Sequence, residues 1–188
     1  LPFDGYLSDT SHVHKETVTT PLFANVKVKD AIVDRIKDKK GMRPNSGPQL
    51  DKAVIHLHWM EERAEIFIDT SGETLAKHGY RKLPGKAPML EALAFSTIAA
   101  SKWDGKSPFI NPMCGSGTLA IEAILKAQNR RPGLMRMNYA FMHFIGYNEE
   151  VFFQERRVLK EQVDKSITPI VIASDISEDA VEISRQNA

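Results

Sequence analysis

The octapeptide Asn111-Pro112-Met113-Cys114-Gly115-Ser116-Gly117-Thr118 most narrows the folds open to this chain. It follows the short apolar run Pro108-Phe109-Ile110 and precedes a helical pattern over residues 118–128. Leu119, Ile121, Ile124 and Leu125 cover a wide face of that helix, suited to packing on a sheet. Glycines at such a strand-to-helix junction let the backbone turn sharply and approach a ligand with no Cβ in the way. A second buried-strand candidate, Pro169-Ile170-Val171-Ile172-Ala173, ends at Ser174-Asp175. A carboxylate directly after a neighbouring strand can accept hydrogen bonds from both hydroxyls of a ribose. Two adjacent strand ends are therefore expected to hold one adenosine, on a parallel α/β sheet of which residues 108–188 form the opening strands and helices.

The same residues exclude rival nucleotide and nucleophile sites. A dinucleotide fingerprint would accept Ala120 as its third small residue, but it wants an acid about 20 residues beyond the turn. Residues 123–148 contain no Asp or Glu. A P-loop needs Gly-x-x-x-x-Gly-Lys-Ser/Thr, which is absent. A nucleophile elbow needs glycines two residues either side of Ser116, where Cys114 and Thr118 stand. Cys114 reads as a small wall residue, and Glu122 as a solvated or capping side chain.

Upstream the periodicity changes. Val28, Ala31, Ile32 and Ile36 recur at helical spacing and Gly41 is placed to stop the helix. Residues 39–48 read as a loop, and residues 54–59 and 64–69 alternate with period two around a turn at Glu61-Glu62. A helix followed by an antiparallel pair predicts a small α+β module ending near Ser71-Gly72. Residues 90–98 are expected to form a lead-in helix, and residues 130–147 are irregular and aromatic-rich. Asn148 caps a helix running to about Val163, and Ser177 caps the last one.

Charge adds a partner question. With 25 basic and 24 acidic residues the net charge of +1 identifies no nucleic-acid partner, so the distribution must be read instead. Residues 74–90 contain no acid, while Lys77, His78, Arg81, Lys82 and Lys86 crowd around Tyr80; Lys126, Arg130, Arg131 and Arg136 form a second stretch. Clustered cations without neutralising acids are what phosphate binding uses, and also what a solvated surface shows; both readings stay open. His56 and His58 share one strand face, as His12 and His14 do in an unassigned segment, but no third ligand lies near in sequence, so no metal site is expected. Phe141, Phe144, Phe152 and Phe153 read as packing. One cysteine and the lack of a long apolar run or signal-like start point to a reducing, cytoplasmic setting. The chain does not begin with Met and ends in what reads as an unfinished helix, as a piece of a longer protein would.

In these residues the sequence resembles the THUMP-containing RNA methyltransferases, similar to the bacterial 23S rRNA guanine-N2 enzymes. The resemblance rests on residues 68–81 (IDTSGETLAKHGYR), the helix at residues 87–94, residues 111–122 and residues 174–176, and spans residues 26–188 in order and spacing. It implies residues 1–80 as the end of a THUMP-like RNA-binding module, 81–107 as a basic linker with the lead-in helix, and 108–188 as the first part of a Rossmann-like class I methyltransferase domain.

It further implies S-adenosylmethionine as cofactor, with residues 112–118 as the methionine-side turn, Asp175 on the ribose and Ile176 beside the adenine. Asn111 stands where the family usually has Asp and brings no charge to the cofactor's ammonium; His78 stands where it usually has Arg. The implied partner is ribosomal RNA, with guanine N2 as methyl acceptor; the acid-free charge pattern makes Lys77, Arg81, Lys82 and Lys86 its expected contacts. The family's catalytic Asn/Asp-Pro-Pro-Tyr/Phe turn has no counterpart here, since no Pro-Pro pair occurs. The catalytic residues are therefore expected outside this chain, and this piece alone is expected to be inactive. An adenine-N6 methyltransferase on DNA or RNA would share both cofactor motifs, and a non-catalytic RNA-binding protein with a degenerate cofactor fold is the alternative of another class.

Overall fold

The structure is a computed structural model that describes residues 20–188 and the backbone of residues 6–14. It divides into two compact units: the described residues up to Thr74 together with Asn138–Glu149, and Leu75–Met137 together with Glu150–Ala188.

The first unit contains β1 (Tyr6–His14), α1 (Pro21–Lys40), β2 (Asn45–Gly47), β3 (Ala53–Met60) and β4 (Arg63–Asp69). Its sheet has the order β2-β1-β3-β4, with β1 parallel to both neighbours and β3 antiparallel to β4 across the Glu61-Glu62 turn. The hairpin follows the sequence alternation: Ile55 and Leu57 are buried while His56 and His58 are half-buried. Strands β1 and β2 do not follow from it, because Asn45-Ser46-Gly47 has turn composition and β1 pairs with residues some distance along the chain. Helix α1 begins at Pro21, a position where a missing N–H costs nothing, earlier than its apolar spacing suggests because Leu22 and Phe23 are exposed. It ends where the Gly41 N–H donates to the Lys37 carbonyl at 2.7 Å, with Lys37, Lys39 and Lys40 placed favourably at the negative end of the helix dipole.

The aromatic segment 138–149 groups with this first unit. The Ala140 and Phe141 N–H groups donate to the Ser71 and Thr70 carbonyls (3.2 and 3.0 Å), which fastens the segment to the exit of β4. Phe144 then packs on the core formed by Val33, Ala53 and Ile55. Phe141 stacks on Tyr139 with ring centroids 5.3 Å apart.

The second unit contains α2 (Glu91–Ala100), β5 (Phe109–Asn111), α3 (Thr118–Ala127), β6 (Val171–Ala173) and α5 (Glu178–Asn187), with most of α4 (Glu149–Glu161). Strands β5 and β6 are parallel, pairing Phe109 with Val171 and Asn111 with Ala173. Helix α3 packs on α2 and both strands, and Tyr80, Ile121 and Leu125 form a core with Met135 against them. Arg156 of α4 is buried and donates to the carbonyls of Gly133, Leu134 and Arg136 (2.9, 2.9 and 3.0 Å), closing the short 3-10 turn at Pro132–Met135. Residues 81–83, read from sequence as part of a linker, are bonded into this unit: the Lys82 and Leu83 N–H groups both donate to Asn187 Oδ1 at 2.9 Å.

Candidate functional site

The parallel strands end side by side, and two backbone bonds join the segments that leave them. The Ser174 N–H donates to the Asn111 carbonyl at 3.0 Å, and the Cys114 N–H to the Ser174 carbonyl at 2.9 Å. Beyond Cys114 the chain turns through two glycines of positive φ, Gly115 (+53°) and Gly117 (+84°), the second capping α3. A Cβ on Gly117 would lie 2.3 Å from Ser184 Oγ, so α5 packs against the turn too closely for a side chain. A Cβ on Gly115 would meet nothing within 4 Å; its missing side chain leaves open space.

Asp175, directly after β6, closes the turn. Its Oδ2 accepts from the Gly115 N–H at 2.9 Å and its Oδ1 from the Ser177 N–H at 3.0 Å. The Ser177 amide, with that of Gly115, holds the carboxyl below the usual Asp range, so it stays ionised at neutral pH. A carboxylate has about four acceptor positions, which leaves capacity for hydroxyl donors of a ligand. Ser177 caps α5 by accepting from the Ala180 N–H at 3.3 Å.

A cleft of about 570 Å³ opens beside Gly115, Ser116 and Asp175. Its other lining residues are Pro84, Gly85, Lys86 and Ala87, and on the α5 side Ser177, Asp179, Ala180 and Ile183. The volume is in the ordinary range for a small-molecule site.

Of the residues expected at a cofactor, Gly115, Ser116 and Asp175 line this cleft. Asn111, Cys114, Gly117 and Thr118 are buried beneath the turn. Pro112, Met113 and Ile176 are exposed and do not line it, Ile176 being fully exposed. The Asn111 Nδ2 is buried with no hydrogen-bond partner.

Residues 84–87 on the cleft wall were missed at this site because the Pro/Gly breaks there read as a linker. Arg81, expected to face phosphate, has its side chain largely buried instead. It donates to Thr118 Oγ1 at 2.9 Å and to the Met89 carbonyl, and faces Glu91 at 3.6 Å, so its charge braces the start of α3. Lys82 and Lys86 are exposed, and Lys86 lies on the cleft.

Glu122, expected to be solvated, is buried, and so is His78; their Oε1 and Nδ1 atoms are 2.7 Å apart. Burial pushes the Glu122 carboxyl up, against the opposing pull of His78. Burial and that carboxylate together push the neighbouring Tyr80 hydroxyl above its usual range. Sequence spacing could not reveal the pair, because its members are 44 residues apart. Among the described residues, no three His, Cys, Asp or Glu side chains come together as metal ligands, and no helix is long and apolar enough to cross a membrane.

Residues 78–188 match the UPF0020 family, described as an RMKL-like methyltransferase domain. Among solved structures, the chain is similar to SMU.472, described as a methyltransferase and crystallised with SAH, at 28% identity and a TM-score of 0.81, covering 100% of this chain and 50% of that one. A predicted N6-adenine-specific DNA methylase from Listeria monocytogenes is 29% identical with a TM-score of 0.80, covering 100% of this chain and 49% of the other. TrmN from Thermus thermophilus, 14% identical with a TM-score of 0.56 over 98% of this chain and 42% of that one, shares the fold alone. The chain thus spans about half the length of the solved proteins it matches.

Proposed function

The chain belongs to the family of RMKL-like methyltransferase domains, and from that premise we propose that its cleft binds S-adenosylmethionine and that the whole protein methylates RNA. The observation that carries this reading is the Asp175 carboxylate, held at 2.9 Å by the Gly115 N–H on the rim of the cleft. It sets a carboxylate and a glycine turn at one edge of one cavity. The residues suit the group: Gly115 leaves room for close approach, Asp175 retains free acceptor positions, and the buried Asn111 Nδ2 is a donor without a partner.

When bound, the cofactor supplies a methyl group activated by its sulfonium, for in-line transfer to an exocyclic nitrogen. Such transfer asks the protein mainly for positioning. In this chain Asp175 would hold the ribose hydroxyls, and the backbone of residues 112–118 would turn around the amino-acid end. The residues that hold the acceptor base lie outside it, since no Pro-Pro pair occurs.

The finer assignments are proposals of the same kind. Residues 1–80 are the end of a THUMP-like RNA-binding module, and the acceptor is guanine N2 of ribosomal RNA. Lys77 and Lys82 are the phosphate-facing cations of the basic stretch, Arg81 being engaged within the protein. An adenine-N6 activity on DNA is the second reading, favoured by the 29% identity to the Listeria protein so described.

Calorimetric titration of the full-length protein with S-adenosylhomocysteine tests the cofactor site. Asp175→Ala should weaken binding at least about tenfold, as expected for loss of a charged hydrogen-bond partner, and unchanged affinity removes Asp175 from the site. Incubation with labelled cofactor and either ribosomal RNA or DNA, followed by nucleoside analysis, separates the acceptors: N2-methylguanine supports the first reading, N6-methyladenine the second.

A further inference from the structure

The cleft has two walls of different origin. One is the glycine turn with Asp175 and the start of α5; the other is the strap of residues 84–87, which no motif marks. The approach to the strap is fastened by the buried side chain of Asn187. Asn187 Oδ1 accepts the Lys82 and Leu83 N–H groups (both 2.9 Å), while its Nδ2 donates to the Leu83 carbonyl at 2.8 Å and the Ser116 carbonyl at 3.1 Å. One amide thus fastens the approach to the strap and the glycine turn to each other. Gly85 continues that closeness, since a Cβ there would touch Ser116 Cβ at 3.7 Å.

Of the side chains lining the cleft, Lys86 is the cation, and it faces a cavity that also carries Asp175 and Asp179. S-adenosylmethionine has two cationic groups, sulfonium and ammonium, and one anionic group, the carboxylate of its amino-acid moiety. A lysine on this wall repels the first two and attracts the third, while the carboxylates opposite do the reverse.

We propose that Lys86 binds the carboxylate of the cofactor's amino-acid moiety, from a strap that Asn187 positions, and that it does not serve as an RNA-phosphate contact. The proposal rests on the cofactor reading above and goes beyond it by assigning the charge that recognises one end of the ligand.

The test uses two ligands and the full-length protein. S-adenosylhomocysteine carries the amino-acid carboxylate; 5′-methylthioadenosine keeps the adenosine and the sulfur but lacks it. Lys86→Met should raise the Kd for S-adenosylhomocysteine about tenfold, the effect of losing one charge-assisted hydrogen bond. The Kd for 5′-methylthioadenosine, and the salt dependence of RNA binding, should stay unchanged. Lys86→Arg, which keeps the charge, should recover most of the loss. The assignment is overturned if Lys86→Met leaves S-adenosylhomocysteine affinity within twofold, if it weakens both ligands equally, or if it lowers the salt slope for RNA. Wild-type protein that binds neither ligand would overturn the cofactor reading itself, an outcome distinct from a wild type that binds and a Lys86 variant that binds as well. Lys86 is exposed, so the substitution leaves the core intact.

Discussion

Gly115 and Gly117 are two residues apart in one turn, yet the structure assigns them different physical jobs, which a pair of alanine substitutions separates. Both have positive φ, so either substitution forces an L side chain into the left-handed region at about 1–2 kcal/mol. At Gly115 nothing more is added, because the new methyl meets no atom within 4 Å. At Gly117 the methyl would lie 2.3 Å from Ser184 Oγ, 3.1 Å from its Cβ and 3.2 Å from its Cα. Relieving that overlap means moving α5 or the turn, a strain of about 1–3 kcal/mol beyond the backbone cost. Gly115→Ala should therefore destabilise the full-length protein by about 1–2 kcal/mol and Gly117→Ala by about 2–5 kcal/mol, read as urea midpoints at constant slope. Ser184→Ala removes the nearest atom, so in its background Gly117→Ala should cost less than in the wild type, while Gly115→Ala costs the same. Cofactor affinity should show the reverse order relative to stability, since the Gly115 methyl enters the space beside the cleft. Equal destabilisation by the two alanines, or full additivity of Gly117→Ala with Ser184→Ala, would refute the close-packing argument.

His78→Phe should destabilise by about 3–5 kcal/mol, because it leaves the buried Glu122 carboxyl without its partner; adding Glu122→Leu should recover much of this in urea titrations, and no recovery would mean the pair is not the cause. The raised Glu122 value also sets a sign: its contribution is fully present below the ordinary value of 4.5 and declines as pH rises through the folded value, so replacing Glu122 by Gln should flatten that decline. Arg156→Met should free three carbonyls around the 3-10 turn and cost about 2–4 kcal/mol, with faster amide exchange at Arg136, whose N–H closes the turn; Arg156→Lys, lacking the planar fork, should rescue poorly. Asn187→Asp keeps the two acceptor bonds but sets a carboxylate against the Leu83 and Ser116 carbonyls. It should cost about 2–4 kcal/mol by losing two buried donors, whereas unchanged stability would show that the amide clamp does not hold the strap.

Local signals made part of this protein readable. The β5 strand, the glycine turn, α3 and the acid after β6 all lie within short windows, and each is enforced by a rule acting over a few residues: apolar run, positive φ, helical spacing, side-chain cap. The β3–β4 hairpin is legible for the same reason, as strict alternation around Glu61-Glu62 leaves one register that buries Ile55 and Leu57. The features that escaped the sequence depend on partners far along the chain. Strand β1 exists through parallel pairing of Leu7 with Ala53 and its neighbours, and residues 138–149 join the first unit through bonds to Thr70 and Ser71. The sign of a residue's role was decided the same way. Arg81 and Glu122 sit where surface residues are expected, but Thr118, Glu91 and His78 offset part of the cost of taking them out of water. Lys86 moved from a basic run to a cleft wall because Asn187, 104 residues beyond Leu83, pins the neighbouring backbone. Sequence alone determined which backbone turns and which chemical groups this protein owns, since those depend on each residue's own sterics and charge. Tertiary structure decided which of those groups face water, a cleft or one another, because burial and hydrogen-bond partnership are properties of pairs that only the folded chain brings together.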